Sequence, residues 1–123
     1  MLDFRAGLPT IRKHGQIRGA AVVGKRADMS AYLIAELTIE DSEAFAAYVK
    51  VAGPLIAKFG GQVIARSDAA TPLEGLPPKH FVIVEFDSVD AAKRFYHSEE
   101  YREPLEKRLG GIATGRVFLV DGV

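Results

Sequence analysis

Apolar and polar positions along the chain follow two periods, and their succession outlines the fold. Residues 31–39 (AYLIAELTI) alternate, with Leu33, Ala35, Leu37 and Ile39 on one side and Tyr32, Ile34, Glu36 and Thr38 on the other, which predicts a first strand. From Asp41 or Ser42, either of which can cap a helix, the period lengthens: Phe45, Tyr48, Val49, Ala52, Leu55, Ile56 and Phe59 form one helical stripe. Gly53-Pro54 interrupts that stripe, and Pro54 cannot donate to the carbonyl of Lys50, so a kink or restart is expected there. Gly60-Gly61 stops the helix, with Gly60 as the left-handed residue.

Residues 62–67 read as a short second strand, and residues 67–79 as a connection too rich in proline for a sheet interior, a lid or an arm. Residues 81–86 (FVIVEF) are a strand buried on both faces, broken only by Glu85. Asp87 and Ser88 offer caps for a helix with the stripe Ala91, Ala92, Phe95 and Tyr96. Ser98 caps residues 99–102, Pro104 opens a further turn, Gly110-Gly111 ends it, and residues 116–120 form the last strand.

Strand, helix, strand, strand, helix, strand, with right-handed crossovers, gives an α+β, ferredoxin-like βαββαβ fold. Its four-stranded antiparallel sheet has the spatial order four, one, three, two, with helices on one face. If Leu33, Ala35, Leu37, Val82, Val84 and Phe86 face the helices, the other face shows Tyr32, Ile34, Phe81, Ile83 and Phe118. Such a patch exceeds what a soluble monomer tolerates, and packing two copies face to face covers it. The expectation is a homodimer.

The same alternation puts Glu36 and Glu85 on the uncovered face, where Arg66 and Arg116 from the outer strands can join them. A buried carboxylate needs a partner or takes up a proton. These glutamates are therefore either part of a fixed Glu/Arg network in the interface, or an acid/base pair in a small cavity.

Composition narrows the chemistry. With 16 basic and 16 acidic residues in 123, no net field attracts nucleic acid. The chain has no cysteine, which fits a reducing cytoplasm, and no apolar run long enough to cross a membrane. Charge is uneven, however. Residues 1–28 carry Arg5, Arg12, Lys13, Arg18, Lys25 and Arg26 against Asp3 and Asp28, without a sustained period. They read as a disordered or spurious extension ahead of a domain over 29–123; a transit peptide would carry more Ser and Thr. His14, His80 and His97 have no metal-ligand spacing, the glycine pairs sit at helix ends rather than in a phosphate loop, and a haem would find no axial ligand. No cofactor is expected. Ser98 reads as a cap rather than a nucleophile.

Four segments, AYLIAELTIED, FAAYVKVAGPLIAKFGGQVIAR, HFVIVEFDSVDAAKRFYHSEEYREPLEKR and GRVFLVDGV, resemble the bacterial family called domain of unknown function 1330, almost end to end from Met29. That resemblance implies the dimeric α+β barrel superfamily, and kinship with muconolactone isomerases and cofactor-free monooxygenases that share the scaffold without a common motif. Residues matching the family pattern include Tyr48, Arg66, Glu85, Phe86, Tyr96, Ser98 and Tyr101. The functional expectation is a pocket between sheet and helices for a small hydrophobic organic molecule. Tyr48, Phe86, Tyr96 and Tyr101 would line it, Arg66 would hold an anionic group, and Glu85 or Glu36 would handle a proton. The alternative is a non-catalytic dimeric binding or regulatory module.

Overall fold

The computed structural model describes residues 30–123, so the reading of residues 1–28 as an extension lies outside the described residues. The chain runs β1 (Ala31–Ile39), α1 (Ser42–Lys58), β2 (Gln62–Ser67), β3 (His80–Phe86), α2 (Val89–Tyr96), α3 (Glu99–Lys107), a π-helical turn (Arg108–Ile112) and β4 (Ala113–Asp121). The sheet is antiparallel in the order β2-β3-β1-β4, as the alternation predicts. The fold is thus ferredoxin-like α+β with three helices rather than two.

Each helix starts where a short polar side chain can satisfy a free amide. Asp41 accepts from the Ala44 N–H at 3.0 Å, and Ser88 from Ala91 at 3.0 Å. Ser98 accepts from Tyr101 at 3.1 Å and donates its own proton to the Phe95 carbonyl at 2.8 Å, so its hydroxyl is fully used as a cap. α1 passes through Pro54 as a single helix. The stripe of Tyr48, Ala52, Leu55, Ile56 and Phe59 packs on one core across the proline, and that burial outweighs the lost backbone bond. α3 likewise continues through Pro104, where a new turn was expected, because Tyr101 and Leu105 on either side of it anchor the same core. The chain leaves α1 through Gly60 at φ 87°, the left-handed residue foreseen.

One core lies between sheet and helices. Leu33, Val84 and Phe86 meet Ala91, Ala92, Phe95 and Tyr101, while Ala35, Leu37, Phe45 and Ala113 extend it toward the far end. The opposite sheet face carries no helix and is arranged in rows. Ile83, Ile34 and Phe118 lie side by side across β3, β1 and β4, flanked by Glu85, Tyr32 and Val120 on one side and Phe81, Glu36 and Arg116 on the other. Gly115, at φ 141°, lets β4 pass so close to β1 that a Cβ there would lie 2.0 Å from the Glu36 carbonyl oxygen.

Arg66 departs from its expected side. A bulge between Val63 and Ala65 inserts one residue in β2, and Arg66 then pairs with Val82, whose side chain faces the helices. Arg116 stays opposite Glu36 and is ion-paired with it.

Candidate functional site

Between the sheet and the helices lies a cavity of about 530 Å3. Its walls are mostly apolar, from Leu33, Ala35, Leu37, Val82 and Val84 on the strands and Phe45, Val49 and Ala52 on α1. Two polar groups interrupt them. β2 is an edge strand exposed from Gln62 to Arg66, and its Val63 and Arg66 line the cavity's edge.

The first polar group is Tyr48, Tyr101 and Arg108. Tyr48 comes from the middle of α1, Tyr101 from the first turn of α3, and Arg108 from the start of the π-helical turn. The helix ends in this turn, where Gly111 takes φ 130° and hands the chain to β4, and Arg108 is buried at its start. The two tyrosine hydroxyls are 2.5 Å apart. Arg108 is only 4% exposed, with Cζ 5.8 Å from the centroid of the Tyr48 ring and both hydroxyls as hydrogen-bond partners. Among the described residues no carboxylate forms an ion pair with it. Burial disfavours its charge, yet the oxygens of Tyr101 and Tyr48 outweigh this and hold it firmly protonated. Burial, then Tyr48, pushes the Tyr101 hydroxyl well above its ordinary range, against the pull of Arg108. Near neutrality the cluster is therefore one cation and a protonated phenol beside a second tyrosine, with more donors than acceptors and no negative charge of its own.

The second group is His80 with Asp68. His80 opens β3 on the core-facing side and is 6% exposed; its Nδ1 lies 2.5 Å from Asp68 Oδ1. The Asp68 side chain is 79% exposed, so it holds the ring from the rim. The His80 ring packs edge-on against Phe45 with centroids 5.2 Å apart, and the Tyr48 ring stacks on the same Phe45 at 5.5 Å.

The structure divides the residues expected at one pocket. Tyr48, Tyr96, Tyr101 and Arg66 line the cavity. Phe86 does not; it is 1% exposed and stacked on Phe95 in the solid part of the core. Glu36 and Glu85 lie on the opposite face of the sheet, since strand side chains alternate and their neighbours Ala35, Leu37, Val84 and Phe86 point to the helices. There Glu36 accepts from Arg116 and Glu85 accepts from the Tyr32 hydroxyl at 3.4 Å. Neither can reach a molecule held between sheet and helices.

Sequence reasoning missed Arg108, His80 and Asp68. Two of them carried a legible sign. Arg108 continues the apolar stripe Tyr101, Leu105, and His80 shares the parity of Val82, Val84 and Phe86, so each is a charged or titratable residue on a buried face. Asp68 carried none, because only the folded connection returns it to His80. Among the described residues, no three His, Asp or Glu side chains gather as metal ligands, and no helix is long and apolar enough to cross a membrane.

Residues 30–123 match the family described as Domain of unknown function (DUF1330). Comparison with curated proteins gives no match. Among solved structures, the chain is similar to RPA0582, a protein of unknown function from Rhodopseudomonas palustris, at 21% identity and TM-score 0.66 over 78% of this chain and 84% of that one. It is also similar to SnoaB, a cofactor-independent oxygenase from Streptomyces nogalater, at 11% identity and TM-score 0.57, covering 77% and 94% of the two chains. A protein of the ethd family from Bacillus halodurans aligns at 14% identity and TM-score 0.50 over 77% and 99%. These likenesses establish the shared fold.

Proposed function

The chain belongs to the DUF1330 family, and we propose that it binds a small, largely apolar organic molecule bearing a carboxylate or comparable oxyanion in the cavity between sheet and helices. One observation carries the proposal: Arg108 is buried, charged and without a carboxylate partner, at the wall of an otherwise apolar cavity. A buried guanidinium is stable when an anion completes it, and the ligand is the anion this site lacks. Arg108 presents a planar fork suited to two oxygens, and Tyr48 and Tyr101 add hydroxyl donors. Arg66, exposed at the cavity's edge, adds a second positive charge where a ligand would enter. The fold shared with a cofactor-independent oxygenase supports a small-molecule role without a bound cofactor.

We further propose that the uncovered sheet face is closed by a second copy of the chain, giving a homodimer. Ile34, Ile83 and Phe118 form an apolar row bordered by Glu36–Arg116 and Tyr32–Glu85, so two such faces can meet with an apolar centre and polar margins. In that reading Glu36 and Glu85 set the register of the interface. A chain without cysteine is suited to the reducing cytoplasm.

The binding proposal is tested with 3-phenylpropionate and its neutral amide in a thermal melt. At a hundredfold excess over its Kd the acid stabilises by about 2.7 kcal/mol, roughly ten degrees or more in Tm for a domain of this size, and the amide by far less. Equal shifts from both compounds, or none from either, would refute an anion site.

A further inference from the structure

We infer that the cavity is an active site for proton transfer, in which His80, oriented by Asp68, takes a proton from the carbon next to the carbonyl of a small 2-oxo acid with an apolar substituent. Arg108 with the tyrosine pair holds the oxygens on which negative charge gathers. The inference rests on the binding reading above and names the substrate class for that site.

The imidazole supplies the first argument. A carboxylate can only accept from Nδ1, so in the neutral ring Asp68 selects the tautomer with the proton on Nδ1 and the lone pair on Nε2. Asp68 approaches from the exposed rim, while the ring itself is buried. His80 lines the cavity, and among the described residues its Nε2 makes no hydrogen bond. A buried ring nitrogen with a free lone pair, at the wall of a cavity, is a base without a proton to accept. A purely structural histidine would find a donor for that nitrogen.

Distance supplies the second argument. Tyr48 and His80 both pack on the Phe45 ring, at 5.5 Å and 5.2 Å between centroids, so base and donor cluster border one cavity on either contact of a single ring. A 2-oxo acid presents its carboxylate and ketone oxygen side by side, which matches the Arg108 fork, and places the adjacent C–H bond beyond them, toward the base. In the step, the C–H bond breaks and its proton goes to Nε2. The bond pair becomes the C=C bond of the enolate, and the carbonyl π pair moves to oxygen, where the Arg108 and tyrosine donors meet the charge. Return of a proton from Nε2 restores the ketone or delivers the proton elsewhere on the same enolate. No oxidant or reductant enters.

Asp68 is a positioning residue and His80 the catalytic one. The test follows deuterium uptake at C3 of phenylpyruvate by NMR in deuterated buffer, with the full chain, alongside a thermal melt with the same compound. Wild type is expected to raise the uptake rate about a hundredfold over buffer. His80→Gln should return it to within about threefold of buffer while the thermal shift persists, and Asp68→Asn should lower the rate about tenfold with Tm and binding unchanged. A thermal shift from phenylpyruvate with uptake no faster than buffer overturns proton transfer and leaves the binding reading standing. No thermal shift at all removes both. Should His80→Gln fail to fold, Asp68→Asn decides, since its side chain is exposed: an unchanged uptake rate overturns the inference.

Discussion

Replacing Arg108 with Met separates a ligand-binding cation from a structural one. The guanidinium is 4% exposed, and its side-chain partners are the hydroxyls of Tyr48 and Tyr101 rather than a carboxylate. Its burial therefore costs desolvation that only neutral oxygens offset. A methionine of similar length fills the same space, and the two hydroxyls keep the 2.5 Å bond to one another, so neither loses its last partner. Exchange of buried charge for a well-packed apolar side chain is often neutral or stabilising, whereas breaking a satisfied buried ion pair costs about 3–5 kcal/mol. For a domain of this length about 1 kcal/mol moves Tm by roughly 4–8 °C. The Arg108→Met protein should thus melt within about 8 °C of wild type in either direction, whereas a structural role would lower Tm by about 12 °C or more. Affinity should respond instead. Charge-assisted hydrogen bonds to the ligand's oxygens contribute about 1.5–3 kcal/mol, so the Kd for 3-phenylpropionate, read by calorimetry, should rise roughly ten- to hundredfold. A large fall in Tm, or an unchanged Kd, would each defeat the assignment of Arg108 to the ligand.

Three further outcomes follow from other parts of the molecule. Ile83→Arg places a charge in the centre of the apolar row, and light scattering at micromolar concentration should fall from twice the chain mass to one, or the chain should unfold; an intact dimer would show that the sheet face is not the interface. Gly115→Ala should cost at least about 3 kcal/mol in denaturant melts, because the added Cβ meets the Glu36 carbonyl oxygen at 2.0 Å and the backbone sits at φ 141°; a loss under 1 kcal/mol would mean that β4 can shift freely along β1. Tyr101 is raised above its ordinary value of 10.0, by burial first and by Tyr48 next. With the folded value above the unfolded one, its contribution is complete below pH 10 and is lost as pH rises beyond it, at up to about 1.4 kcal/mol per pH unit. Tyr101→Phe should flatten that alkaline decline, and a decline as steep as wild type between pH 10 and 12 would refute the assignment.

The fold was legible because its determinants are local and repeated. Alternation in residues 31–39 and 81–86 assigned both faces of the central strands correctly, and Asp41, Ser88 and Ser98 marked helix starts through a side-chain bond three residues away. What failed depended on a single irregularity or on distance in the chain. The bulge at Val63/Ala65 moved Arg66 to the other face, and no pattern in QVIARS announces an extra residue. Pro54 and Pro104 were read as interruptions because a local rule was applied where tertiary burial prevails. At the site, Tyr48, Tyr96 and Tyr101 were visible as large rings with hydroxyls needing partners. His80–Asp68 was not, since its members lie twelve positions apart across an irregular connection.

The attention drawn by Glu36 and Glu85 shows why a charge inside an apolar strand is an ambiguous sign. A strand of an uncovered sheet has two apolar faces when the second is an interface, and a charge on either looks alike in the sequence. Period two then decides what chemistry each charge can do. Even positions of β1, Tyr32, Ile34 and Glu36, belong to the uncovered face, and odd positions, Leu33, Ala35 and Leu37, to the cavity wall, so the proposed assembly and the proposed ligand binding would be written on the same strand one residue out of phase. The two functions can vary independently as long as the register holds, and the register is held by Gly115 against Glu36 and by the β1–β3 ladder between them. A one-residue slip of β1 would exchange the faces, turning Leu33 and Leu37 to the uncovered side and carrying Glu36 to the side of the cavity that Arg108 also lines. The glutamate is kept on the far side of the sheet, paired with Arg116, and that separation leaves Arg108 with its charge available.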